Sequence, residues 1–118
     1  MVDGVARVGV EPVYVCSVEG AAIEREADAL DLIGNAGEAR WVAVPVERLG
    51  EDFFRLRTRV AGDIVQKFAQ YGRALAVVGD ISAYVERSDA LRDFVRECNR
   101  GRQTWFVGDL DELAARLS

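Results

Sequence analysis

The sequence predicts a single α/β domain, residues 1–118, with a mainly parallel sheet. Three observations support this prediction. The length of 118 residues is typical of one domain. The apolar runs 41–46 (WVAVPV) and 74–78 (ALAVV) are typical of strands buried on both faces. Helical apolar spacing lies between such runs, and strands alternating with helices imply right-handed crossovers and parallel pairing.

The N-terminal part predicts a β-hairpin. Residues 5–10 and 13–18 are short runs rich in β-branched side chains, which favour strands. Glu11 and Pro12 lie between them and are interpreted as the turn. The hairpin would add an antiparallel edge to the sheet. Pro45 is expected at the end of the third strand, where the ladder needs no N–H donor.

Four helices are predicted from apolar residues spaced three and four apart. The first, residues 24–34, carries acidic residues near its N-terminus, where the helix dipole favours negative charge. The resulting element order is β-β-α-β-α-β-α-β-α. The expected inner faces, in chain order, are Ala27, Leu30 and Ile33; Val60, Ala61, Ile64, Val65 and Phe68; Leu91, Phe94, Val95 and Cys98; Leu110, Leu113, Ala114 and Leu117.

Composition narrows the classes of function. A net charge of -5 and a pI near 4.8 argue against non-specific nucleic-acid binding. The sequence has no histidine, and Cys16 and Cys98 are far apart, so common zinc sites and histidine-based triads are excluded. We expect no metal or other cofactor, although a carboxylate site for Mg²⁺ or Ca²⁺ stays open. With neither a signal peptide nor an apolar run of about 18 residues, a cytoplasmic protein without membrane contact is expected.

Candidate site residues follow from the predicted topology. Ligands of open parallel sheets bind beyond the carboxyl ends of the strands, here the loops 45–59, 79–83 and 108–109. Arginine can clamp a phosphate or carboxylate with two hydrogen bonds, and a helix N-terminus favours anions. The site would therefore take an anionic small molecule or a protein partner. Its candidate residues are Arg57, Thr58, Asp80, Ser82 and Asp109.

A purely structural interpretation of these residues is the alternative. Thr58 would cap the second helix, and Arg57 would pair with an acid of the preceding loop. Asp80 would hold the turn after its strand. Asp109, with Glu112 three residues later, would form a capping box for the last helix. Both interpretations stay open at the level of sequence.

Several segments of the chain resemble the bacterial family DUF4180, whose function is not established. The resemblance implies a soluble bacterial α/β domain. The chain departs from the family pattern at Arg59, where glycine is common, and at Cys98, where serine is common. The matching segments are residues 52–58 (DFFRLRT), 61–68 (AGDIVQKF), 76–80 (AVVGD) and 91–101 (LRDFVRECNRG).

The element order is also similar to that of STAS domains, the anti-sigma-factor-antagonist fold. In that fold a phosphorylatable serine follows the third strand in a DSSG-like motif, and Thr58 occupies roughly this place without the motif. The first functional hypothesis is a non-enzymatic regulatory or protein-interaction module of STAS-like type. The alternative is a small-ligand-binding protein or enzyme, in a biosynthetic setting, that uses the carboxyl-edge cleft. A homodimer through a sheet edge or an apolar helix face is compatible with either.

Overall fold

The computed structural model describes residues 3–118. Within this range the chain forms five strands and six α-helices, and short 3₁₀ turns at Val46–Arg48 and Leu56–Thr58 flank the second helix. In chain order the elements are β1 (Gly4–Val8), β2 (Glu11–Val15), α1 (Glu26–Asn35), β3 (Trp41–Pro45), α2 (Glu51–Phe54), α3 (Val60–Gln70), β4 (Ala74–Val78), α4 (Ser82–Glu86), α5 (Asp89–Arg100), β5 (Thr104–Val107) and α6 (Leu110–Arg116). The predicted α/β class, the antiparallel hairpin and the final position of Pro45 in β3 are confirmed.

The strands lie in the order β1-β2-β3-β4-β5, so neighbours in sequence are neighbours in space. The first pair is antiparallel, and the other three pairs are parallel. Right-handed crossovers that always advance in one direction leave their helices on the same face of a sheet. The connecting helices α1, α3 and α5 accordingly share one face. The terminal helix α6 packs against the opposite face.

The two faces of the sheet bury different cores. The face under the connecting helices holds the larger cluster, including Phe53, Ile64 and Phe68. Full burial of one such side chain contributes about 1.5–3 kcal/mol. On the other face the rings of Trp41 and Trp105 lie 4.2 Å apart under α6. A single short helix therefore covers a face that spans five strands.

The predicted position of the hairpin turn is wrong. The turn residues are Gly9 and Val10, and Pro12 lies inside β2 opposite Arg7. Gly9 has a φ of 63°, a conformation that glycine adopts without strain. Pro12 fits within β2 because pairing of β2 with β3 begins only at Val13, so no ladder position requires its missing N–H.

The predicted inner face of the first helix is wrong at two of its three residues, and only Ile33 is buried as expected. Ala27 and Leu30 are exposed, and the helix begins at Glu26. The buried residues follow one another at intervals of three, one and three. This stripe has four apolar residues where the predicted one has three, and it is the stripe that faces the core. Its members are Ala29, Leu32, Ile33 and Ala36. The inner faces of α3, α5 and α6 are confirmed, except that Leu110 at the start of α6 is 39% exposed.

Candidate functional site

The loops at the carboxyl ends of β4 and β5 diverge. The loop after β4 leads to α4 and α5 on one face of the sheet, whereas the loop after β5 leads to α6 on the other. Such a divergence between adjacent parallel strands opens a crevice, and this is where open α/β sheets bind their ligands. The backbone topology thus singles out one position along the carboxyl edge.

A cavity of about 580 Å³ occupies this crevice. Apolar side chains of α4, α5 and β5 form part of its wall, and polar groups lie among the other lining residues. This combination is typical of small-molecule sites. The apolar lining residues include Ile81, Val85, Val95 and Phe106, and the polar side chains are Asp80, Ser82, Arg92 and Arg96.

The crevice begins at Gly79, the residue directly after β4. Its N–H donates to the carbonyl of Val107 over 2.9 Å, which ties the two diverging loops together. Gly79 has a φ of 142°, and a Cβ there would lie 2.7 Å from Cγ2 of Val46. Both facts require glycine at this position.

Asp80 stabilises the turn that follows. Its Oδ1 accepts the backbone N–H of Ser82 over 2.9 Å, as the structural interpretation predicts. The backbone N–H and then the hydroxyl of Ser82 hold the pKa of Asp80 below its usual value. Asp80 therefore presents a negative charge to the crevice at neutral pH, where it can accept a hydrogen bond from a ligand.

Two arginines of α5 provide positive charge. Arg92 is bound to Asp89 over 3.0 Å and donates to the carbonyl of Val85 over 3.3 Å. Arg96 lies 3.7 Å from Asp93, and its side chain is 59% exposed. Such exposed pairs contribute little to stability, so the guanidinium of Arg96 can be redirected at small cost. Of the two arginines, Arg96 is therefore the better hydrogen-bond donor to a bound anion.

Arg57 lies in a different cavity, of about 470 Å³. The rings of Phe54 and Tyr84, stacked with centroids 4.3 Å apart, belong to its lining. Arg87 also lines it, with its guanidinium carbon 5.8 Å from the Tyr84 ring centroid. Among the described residues, Arg57 has no hydrogen-bond or ion-pair partner, so the predicted pairing with an acid of the preceding loop is wrong. Arg55 makes that pair instead, with Glu51 at 3.0 Å.

Thr58 is not the N-cap of the helix that follows. The N-cap is Arg59, which has a φ of 67° and makes no side-chain capping bond. The Thr58 hydroxyl lies 2.5 Å from the carbonyl oxygen of Asp52 and 2.8 Å from that of Arg55, and accepts the N–H of Val60 over 3.3 Å. Thr58 thus fastens the 3₁₀ turn before the helix, and its hydroxyl is engaged internally.

Asp109 caps α6 as predicted. Its Oδ1 accepts the N–H of Glu112 over 2.8 Å, and the Glu112 carboxylate accepts the N–H of Gly108 over 2.8 Å. The Asp109 bond satisfies one N–H that the helix start leaves without a partner, and the second bond of the predicted capping box forms one residue earlier, at Gly108 instead of Asp109. Gly108 lines the β4/β5 crevice, so the Glu112 carboxylate holds one part of its wall.

The five predicted site residues therefore do not form one cluster, and Thr58 and Asp109 line neither of the two cavities. Asp80 and Ser82 line the β4/β5 crevice, whereas Arg57 lines the other cavity. Helix α4 contributes to both, with Tyr84 toward Arg57 and Val85 toward the crevice. The short α4 was not predicted because five residues are too few to show helical periodicity.

Sequence reasoning missed the arginines Arg87, Arg92 and Arg96. The signal available for two of them was a spacing of four on α5, which places both on one stripe of the helix. A charged solvent-exposed face shows the same spacing. Only the position of α4 against α5 shows that these arginines line a cavity and do not merely belong to a solvent-exposed face.

Arg48 is a further residue that sequence reasoning missed. It is only 6% exposed, and its guanidinium binds Asp3 over 2.9 Å and the carbonyl of Ala21 over 2.9 Å. Burial alone would raise the pKa of Asp3, but the backbone N–H of Ser17 and the Arg48 guanidinium outweigh it and hold that pKa below its usual value. A Cβ at Gly20 would collide with the guanidinium.

Both cysteines are free thiols that pack in or against the core, as expected from the sequence. Burial, followed by the charge of Asp3, raises the pKa of Cys16 to about 12. Burial, followed by the charge of Glu97, raises the pKa of Cys98. Nucleophilic chemistry needs the thiolate, which these environments disfavour.

The fold and the crevice define a class: an α/β domain with a small-molecule-sized cavity where the chain diverges at the carboxyl edge of a mainly parallel sheet. Within this class the chain belongs to the family DUF4180, a domain of unknown function, whose model matches residues 9–117. No curated protein and no solved structure matches the chain. Across residues 3–118, none of the helices is both long and apolar enough to span a bilayer.

Proposed function

We propose that this protein binds a small amphipathic anion in the β4/β5 crevice. The observation that carries the proposal is the coincidence of three features at one place: the diverging loops, an apolar lining, and the exposed guanidinium of Arg96. Proteins use this position of a parallel sheet for ligands because the backbone leaves it open. The free thiols of Cys16 and Cys98 are consistent with a protein that functions in the reducing cytoplasm.

The lining determines the chemistry of the ligand. Val95 and Phe106 would contact an apolar body of a few carbon atoms. Arg96 would bind a carboxylate or phosphate with two parallel hydrogen bonds. The ionised carboxylate of Asp80 would repel a second negative group and favour a hydroxyl or amine. The expected ligand is therefore a monoanion with a short apolar chain.

Octanoate and octanol are suitable probes because they share the chain length and differ in charge. We expect octanoate to shift the amide NMR signals of residues 79–82 and 107–108, and octanol to bind more weakly. Arg96→Gln should weaken octanoate binding about tenfold or more, because a charge-assisted hydrogen bond contributes about 1.5–3 kcal/mol. Arg100→Gln is the matched control, since Arg100 lies on the same helix with a similar pair at 3.8 Å and does not line the crevice. Equal binding of both probes would contradict the proposal.

The second candidate function is a non-enzymatic regulatory or protein-interaction module of STAS-like type. The observation that favours it is Arg57, which has no partner among the described residues and lies in the same cavity as the Phe54–Tyr84 stack. Tyr84 is partly exposed, and arginine and tyrosine are enriched among the residues that dominate protein interfaces. An acidic protein segment carrying an apolar side chain would fit this cavity.

A pull-down from the native host tests the second candidate with Arg57→Glu. The exposed Arg102→Glu is the matched control for the change of charge. A stoichiometric partner that the wild type and the control retain, and that Arg57→Glu loses, supports an interaction module. Equal retention by all three proteins contradicts it. Octanoate binding should be unchanged in Arg57→Glu, so the two candidates fail independently.

A further inference from the structure

Strand β1 forms one edge of the sheet, and its middle residues Val5, Ala6 and Arg7 are exposed. Within residues 3–118, no strand pairs with its outer side. An exposed edge presents N–H and C=O groups ready to pair with another strand. Which groups face outward follows from the register with β2.

The hairpin register determines the direction of each peptide group. Arg7 lies opposite Pro12, which has no N–H, so this pair cannot be one that exchanges two hydrogen bonds. Pairs in an antiparallel ladder alternate, so Ala6 and Val8 bond to β2. The N–H and C=O groups of Val5 and Arg7 therefore point away from the sheet.

We infer that β1 pairs with β1 of a second copy of this chain, antiparallel and centred on Ala6. In this register Val5 meets Arg7 of the other copy, and Arg7 meets its Val5. All four are residues whose peptide groups face outward, so each pair exchanges two hydrogen bonds. The two copies would form one continuous sheet about a two-fold axis, the commonest symmetry of dimers.

The side chains of β1 are compatible with this register. Ala6 would face Ala6 of the other copy at a non-hydrogen-bonded position, where Cα atoms approach to about 4.5 Å and two alanine side chains fit without crowding. The Arg7 guanidinium donates to the carbonyl of Val10 over 3.2 Å, which directs its charge toward the turn and away from the axis. A register centred on Arg7 would place like charges opposite each other.

A groove next to β1 would extend the contact between the two copies. The groove, about 510 Å³ in volume, runs beside β1 and is lined by Val15, Leu110 and Ala114. The two-fold axis would bring two such grooves together. The paired edge has about five residues a side, against roughly 20–30 in a standard interface, so the dimer should be weak and depend on concentration.

Sedimentation between about 10 µM and 1 mM tests the dimer. The wild type should pass from monomer to dimer, and Ala6→Lys should raise the dissociation constant about tenfold because two like charges face each other. An equal mixture of Ala6→Lys and Ala6→Glu should restore the dimer. Ala22→Lys, at an exposed alanine outside the sheet, is the matched control. A wild type that stays monomeric at 1 mM, or an Ala6→Lys that dimerises like the control, overturns the inference.

Disulfide cross-linking tests the register. In a Cys98→Ser background, Ala6→Cys should form a covalent dimer with oxidised glutathione, because facing Cα atoms would lie within the usual disulfide range of about 4.4–6.8 Å. Val5→Cys should cross-link far more slowly, since it faces Arg7 of the other copy. Faster cross-linking of Val5→Cys would overturn the register. The dimer would leave the β4/β5 crevice free, because that crevice lies beyond the opposite part of the sheet.

Discussion

The two edges of the sheet are built differently. At the β5 edge all four strand residues are buried, and the Asn99 side chain accepts the N–H of Phe106 over 2.7 Å. At the β1 edge the three middle residues are exposed. A side-chain acceptor blocks pairing with another strand, whereas an uncovered ladder permits it. The β5 edge is therefore blocked against pairing with a further strand, whereas the β1 edge is open to it.

Strand β1 pairs with β2 along its whole length, and further contacts fix its two ends. At its end the turn residue Gly9 packs against α6, and the Val10 N–H donates to the carbonyl of Leu117 over 3.2 Å. At its start Asp3 binds the buried Arg48. Beyond its ladder with β2, the open edge is therefore fixed by a turn and an ion pair, whereas the closed edge is covered by a helix.

The largest effect is expected from Gly9→Ala. A Cβ at Gly9 would lie 2.6 Å from the carbonyl oxygen of Ala114, and the φ of 63° is strained for alanine. We expect the free energy of unfolding to fall by about 3–4 kcal/mol, the sum of backbone strain and overpacking. Urea denaturation measures it.

Gly37→Ala is the control that separates strain from collision. Gly37 has a φ of 60°, and a Cβ added there would meet no other atom of residues 3–118 within 4 Å, so only strain of about 1 kcal/mol is expected. Equal losses at both glycines would show that the packing of α6 against the turn does not hold β1.

The next effect concerns the start of β1. Arg48→Met removes the guanidinium and leaves the Asp3 carboxylate without its charged partner in a part-buried site. The expected loss is about 2–3 kcal/mol, because an unpaired charge keeps its desolvation cost. Arg55→Met removes an exposed pair with Glu51 and should cost less than about 0.5 kcal/mol. A loss at Arg48 as small as that at Arg55 would contradict the anchoring role.

The third effect concerns Asn99, whose side chain blocks the β5 edge. Asn99→Ala leaves the N–H of Phe106 without its acceptor, and the free energy of unfolding should fall by about 1–2 kcal/mol. Asn35→Ala, at the exposed end of α1, is the control and should change it by less than about 0.5 kcal/mol. The variant also uncovers a second edge, so light scattering should detect aggregates that the control lacks.

The elements of the fold were predictable wherever an apolar pattern extended over several residues. The runs 41–46 and 74–78 and the stripes of α3 and α5 gave the sheet and the connecting helices correctly. The hairpin turn was misplaced because Pro12 is a strong local turn signal, while the position of Gly9 depends on α6, more than a hundred residues later in the chain. Tertiary contacts of this kind leave no local pattern.

The candidate site was only partly predictable, for the same reason. Asp80 and Ser82 lie at the carboxyl edge as the topology rule requires. Arg57 was assigned to the same site because only the structure shows α4 contributing to two cavities. Arg59 is instructive: it stands where the family commonly has glycine, and its φ of 67° is a conformation that suits glycine.

The smallest effect is the pH dependence that Asp3 contributes to the anchoring of β1. Its pKa in the folded protein lies below the ordinary 3.8, so folding favours the ionised form. The resulting stability is fully present above pH 3.8 and is lost as the pH falls through the lowered pKa. Unfolding free energies of the wild type and Asp3→Asn should therefore converge in acid and differ at neutral pH. A constant difference between neutral pH and about pH 3 would contradict this linkage. In an Arg48→Met background the convergence should shrink, because burial of the carboxylate is then opposed only by its hydrogen bonds with Ser17.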